Sequence, residues 1–185
     1  MVFGATNPAL RPNLNTMAGN EMIFEVSGVS QLIVSVSDNL VVGQNPDGTD
    51  QFRSVNLLFT GISATDKFLH IKKSDLEAAA SGFNVSQITS VSFIVDKNTI
   101  PQAPGTVIVK TQNLVFTPTV SANSTGPVTD LVSFNTAPGK LDSFGLISGF
   151  NQTSRDQFQF SYDSPDVTLG EFGGAIMVFG ATNPA

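Results

Sequence analysis

Four oxygen-bearing residues open the search for chemistry: Asn45, Asp47, Thr49 and Asp50, spaced around Gly48. Hard cations such as Ca²⁺ take about six to eight oxygen ligands, and loops present them at alternating positions. The stretch therefore reads as a calcium loop. It lacks the bidentate Glu that would close an EF-hand, because Asn56 stands there. The same letters also spell a polar hairpin turn around Asp-Gly. Asp163, Asp166 and Glu171 form a second acidic group, which reads as a solvated turn or as ligands between strands.

Other chemistries find less. His70 is the sole histidine and there is no cysteine, so the usual zinc ligand sets are missing. No Gly-x-Ser-x-Gly elbow accompanies it, and it reads as a structural or surface histidine. Glu21, Glu25, Glu77 and Glu171 carry no glycosidase signature around them. Gly173-Gly174 precedes an apolar run, which suits close strand packing better than a phosphate cradle. The expectation is a chain that is not an enzyme.

Composition narrows the class. The chain has 185 residues, 41% of them hydrophobic, enough for one cored domain spanning 1–185. Charged residues are 13%, about half the usual share. The surface is then expected to be Ser, Thr, Asn and Gln, as in secreted or cell-surface β-proteins. Fifteen Phe stand against one Tyr and no Trp, and Phe fills cores without needing a polar partner. The net charge of −6 argues against nucleic acid and anionic membrane surfaces. No apolar run reaches the roughly eighteen residues of a membrane span.

The elements that must position any site follow from periodicity. Strand-like runs, apolar or alternating apolar with polar residues, recur at 22–26, 32–37, 52–60, 68–71, 91–95, 106–116, 131–134, 141–150, 158–162 and 174–179. Gly145 and Gly149 bend or bulge the run at 141–150. Leu10 to Asn20 is rich in turn formers and reads as a linker or edge loop. One helix is predicted near 75–81, with Ser74 and Glu77 as a capping box and Gly82 beyond its end. The fold class is all-β: an antiparallel β-sandwich, jelly-roll-like.

One feature organises the whole. The nonapeptide MVFGATNPA occurs at 1–9 and again at 177–185. Gly174 to Phe179 suits a strand buried on both faces, and Asn183-Pro184, like Asn7-Pro8, stops it. Two copies of one strand need two grooves, one in the chain's own sheet and one in a neighbour's. That is β-augmentation of the donor-strand kind, and head to tail it builds an open filament. Val2, Phe3 and Ala5, with Ile176, Val178 and Phe179, are the expected assembly residues. A tandem array overlapping by nine residues is a second reading of the repeat; an engineered or cloning duplication is a third.

Residues 68–96 (FLHIKKSDLEAAASGFNVSQITSVSFIVD) resemble galactose-binding-like jelly rolls of carbohydrate-binding modules. The resemblance implies a strand, a short helix, a second strand, and polysaccharide as a partner. Such modules stack sugars on Trp or Tyr, for which only Tyr162 is present. The terminal duplication is similar in architecture to donor-strand filaments of prokaryotic surfaces. The leading expectation is a self-assembling structural subunit; the alternative is a carbohydrate-binding module, with or without calcium.

Overall fold

A computed structural model describes residues 8, 11–62, 67–96, 105–111, 139–145, 147–154, 157–162 and 172–179. They form an all-β sandwich with one short helix. In chain order the elements are β1 (Glu21–Ser27), β2 (Gln31–Gln44), β3 (Asp50–Thr60), β4 (Lys67–Lys72), α1 (Lys73–Ala79), β5 (Ser90–Asp96), β6 (Gly105–Thr111), β7 (Gly139–Gly145), β8 (Gly149–Ser154), β9 (Gln157–Tyr162) and β10 (Phe172–Phe179). One sheet runs β4-β1-β6-β9-β8 and the other β3-β2-β5-β10-β7. Every neighbouring pair is antiparallel.

The core follows from the two-residue side-chain period of a strand. Met22, Phe24 and Val26 of β1 face inward, as do Leu32, Val34 and Val36 of β2, and all six are fully buried. Val91, Phe93 and Val95 of β5 and Phe158 and Phe160 of β9 join them. Phe93 ties the sheets together. Its ring meets Phe24 edge-on at 4.9 Å and Phe158 at 5.7 Å, both from the opposite sheet. Edge-to-face rings gain beyond their buried area. Phe93→Ala is expected to cost about 3–5 kcal/mol by opening a cavity between the sheets. Chemical denaturation measures it, and a loss under about 1 kcal/mol would contradict this central role.

Three sequence expectations need correction. Residues 11–20, expected as a linker or edge loop, are docked rather than linking: Leu14 and Met17 are buried in the core. Two backbone bonds fix them, Leu14 N–H to Val85 O at 2.9 Å and Ile88 N–H to Pro12 O at 3.2 Å. The run 141–150 is two strands in different sheets rather than one bent strand. Gly145, at φ 68°, ends β7, and a Cβ there would lie 2.1 Å from the Phe172 carbonyl oxygen. The helix starts earlier than expected. The extended Lys72 is its N-cap and makes no side-chain cap bond, so Ser74 lies inside the first turn and closes no capping box. Lys72 also ends β4, so strand and helix abut with no residue between them. Fully buried Leu76 anchors α1.

Among the described residues no helix is long and apolar enough to cross a membrane. The expected strand at 131–134 and the acidic group Asp163, Asp166 and Glu171 lie outside the described residues.

Candidate functional site

The second copy of the nonapeptide begins inside β10. Met177, Val178 and Phe179 are the last three residues of that strand, and all three are buried. Ile176 is half-buried. β10 is an interior strand. It pairs with β5 from Phe172↔Asp96 to Val178↔Ser90, and with β7 from Gly173↔Gly145 to Phe179↔Gly139. Among the described strands, β7 pairs only with β10. The last described strand thus fills a slot between two others.

Ile176, Val178 and Phe179 therefore sit within the chain's own sheet. Val2, Phe3 and Ala5 lie outside the described residues, as do 180–185. The slot between β5 and β7 admits one strand, and β10 occupies it.

The end of β10 and the start of the domain meet at one place. Phe179 N–H donates to Thr89 O at 2.8 Å, and the neighbouring Ile88 holds Pro12. Arg11 Nη1 donates to Gln87 Oε1 at 3.3 Å. Thr89 N–H in turn donates to Ser37 O at 2.8 Å, and its hydroxyl to Asp38 O at 3.0 Å. Residues 11–12, 87–89, 37–38 and Phe179 thus share one end of the sandwich.

β2 continues past this point without β5. It pairs with β5 only from Ile33 to Ser37, while its pairing with β3 runs on to Gln44↔Asp50 through two register shifts. The result is a two-stranded ribbon. Leu40, Val41 and Val42 are 47%, 47% and 57% exposed on it. Three consecutive exposed apolar residues at a strand edge that has no partner strand among the described residues are what natural sheets ordinarily avoid.

Asp38 clamps the base of this ribbon. Its side chain is fully buried and accepts from Arg53 Nη2 and Nε, from Asn84 N–H at 2.7 Å and from Leu40 N–H at 3.0 Å. Arg53 also donates to the carbonyls of Ser81 and Gly82 and lies 5.4 Å from the centre of the Phe83 ring. Burial pushes the Asp38 carboxyl up. The hydrogen bonds from Arg53, Asn84 and Leu40 and the Arg53 charge outweigh burial and hold it below the usual carboxylate range.

At the tip, Asn45, Asp47, Thr49 and Asp50 close a tight turn. Asp47 Oδ1 accepts from Thr49 N–H at 3.0 Å and from the Thr49 hydroxyl at 2.6 Å. Asn45 Nδ2 donates to Thr49 Oγ1 at 3.0 Å and faces Asp50 O at 3.4 Å. Asp47 Oδ1 and Thr49 Oγ1 are thus engaged by the turn's own donors. Among the described residues no three of His, Cys, Asp and Glu gather where they could hold a metal ion.

His70 is an exposed residue of β4, with Nδ1 2.9 Å from Glu21 Oε2. Tyr162, the ring that sugar stacking would use, is 4% exposed and points into the sandwich. Burial raises its phenol above the ordinary tyrosine value. Exposed aromatic rings among the described residues are Phe68 and Phe172.

The sequence reading missed the Asp38–Arg53 clamp and the bare ribbon. Nothing local marks a carboxylate and a guanidinium fifteen positions apart as partners. The ribbon did leave a trace: apolar letters continue at 40–42 beyond the stretch that any seven-residue partner strand could cover. Comparison with family models, with curated proteins and with solved structures finds no match to this chain.

Proposed function

We propose that this chain is a structural subunit of an extracellular filament or surface assembly, polymerising head to tail by β-strand exchange. One observation carries the reading. A nonapeptide present twice in the chain begins, in its second copy, as the buried end of an interior strand. A segment whose first three residues end a sandwich strand in one copy is suited to add to a sheet in another, because ladder bonds and alternating side chains are all that recognition needs. The sparse charge fits a surface that packs against copies of itself.

Burying a Val and a Phe on a neighbour is worth roughly 1.5–3 kcal/mol each before ordering costs. Each junction is then modest, and a filament holds by their number. Removing residues 1–9 is expected to convert polymers into monomers in multi-angle light scattering, with the thermal midpoint unchanged. Polymers of undiminished mass after the truncation would overturn the reading.

A further inference from the structure

We infer that the first copy of the nonapeptide docks on the open β2 edge at Leu40–Gln44 of a second copy of this chain. The inference rests on the strand-exchange reading and names its receiving surface. It starts from a count. Each chain brings two copies of MVFGATNPA but one slot between β5 and β7, and that slot is filled by β10. Swapping identical residues through that slot leaves as many copies unhoused as before and buries nothing new. Net stabilisation from residues 1–9 needs a different seat.

The ribbon supplies one. Beyond Ser37, β2 pairs with no strand on its β5 side among the described residues; Asn84 and Thr89 reach Asp38 and Asn39, and the edge from Leu40 on lies past them. Leu40 N–H is held by Asp38 Oδ1, so it is the backbone groups of Val41–Gln44 facing away from β3 that can take another strand. Leu40, Val41 and Val42 match an incoming Met1-Val2-Phe3 in apolar character, whereas the edge strand β4 offers the charged or polar His70 and Lys72 around one exposed Phe68. The stop at Asn7-Pro8 limits the added strand to the length of that edge.

Position agrees with this. Pro12 is fixed beside Ile88, one residue from the Thr89 that holds Ser37 and Asp38. Residues 11–12, which ten residues precede in sequence, therefore lie at the end of the sandwich that carries the ribbon. Extended, they span at most about 35 Å, enough to cross to a neighbour set beside that end. The neighbour's residues 1–9 can return to the same end of the next copy, and the contact repeats without closing.

The absence of cysteine makes the test direct. A chain carrying V2C is mixed with a chain carrying V41C, polymers are allowed to form, and disulfides are trapped by mild oxidation. The expected product is a covalent V2C–V41C dimer, abundant relative to V2C–V2C. In a single chain carrying both substitutions, a ladder of covalent multimers supports the proposal, and a cross-linked monomer overturns it. A second variant, L40D/V42D, is expected to be monomeric while melting like the parent, since both side chains are about half exposed already. If L40D/V42D polymerises fully while the 1–9 truncation is monomeric, the seat lies elsewhere and only this inference falls. If the truncation itself still polymerises, the strand-exchange reading falls with it.

Discussion

Gly174→Ala is expected to leave no stable folded protein. Glycine is usually replaceable in a strand, and alanine adds only one carbon. Here that carbon would lie 2.0 Å from the Phe93 carbonyl oxygen, 2.9 Å from the Phe93 carbonyl carbon and 3.1 Å from Ile94 Cα. All three atoms are backbone of β5, so no flexible side chain can swing away. The two strands would have to part at Gly174↔Ile94, in the middle of their ladder. β7 pairs only with β10 among the described strands and would lose its support as well. Overpacking a good core costs about 1–3 kcal/mol when side chains can adjust. A collision with the backbone of a central strand exceeds that and takes most of a typical 5–15 kcal/mol. Circular dichroism and the soluble fraction on expression check this. A cooperative melt within a few degrees of the parent would show that β10 does not approach β5 in this way.

Asp38→Ala is expected to cost about 3–5 kcal/mol at neutral pH, the usual result of breaking one side of a buried ion pair. The substitution strips Arg53 of its anion and leaves the Asn84 N–H without its acceptor. Arg53 keeps Ser81 O and Gly82 O and is partly solvated, which places the effect toward the lower end. The loss is expected to depend on pH with a definite sign. The folded carboxyl titrates below its unfolded value, so its contribution is complete above about pH 4. It disappears as pH falls through the folded value. Denaturant unfolding should therefore show a constant gap between parent and variant from about pH 7 to 5, narrowing in stronger acid. A gap that stays constant to about pH 2 would mean that Asp38 does not act as an anion here. Because the clamp sits at the base of the ribbon, the variant also bears on assembly: frayed there, β2 presents a poorer edge.

Both effects depend on features that single residues could not announce. Asp38 follows the alternating run 32–37 and looks like the polar end of a strand. Only the fold brings Arg53 and Asn84 to it. Gly173-Gly174 was legible as close packing, yet the partner that requires it, the Phe93 carbonyl, lies eighty-one positions earlier. The candidate calcium loop shows the converse. Asn45, Asp47, Thr49 and Asp50 carry oxygens at ligand spacing, and in the folded turn Thr49 donates two hydrogen bonds to Asp47 Oδ1 while Asn45 Nδ2 donates to Thr49 Oγ1. Spacing in a sequence fixes which groups are available and leaves open whether they point at a cation or at each other.

By itself the sequence determined that this chain is a β-sandwich and that a nonapeptide recurs at 1–9 and 177–185. Alternation is local: a strand's side chains change face every residue, so runs such as Phe158, Phe160 and Tyr162 declare a buried face wherever they pair. Identity between 1–9 and 177–185 needs no structure to be seen. Tertiary structure alone decided that β10 lies between β5 and β7, that residues 11–20 dock with Leu14 in the core, and that β2 outruns β5 and leaves Leu40–Val42 without a partner strand on that side among the described residues. Those facts depend on which strands meet and in what register. Register is settled by contacts between segments far apart in the chain, which no window of neighbouring residues contains.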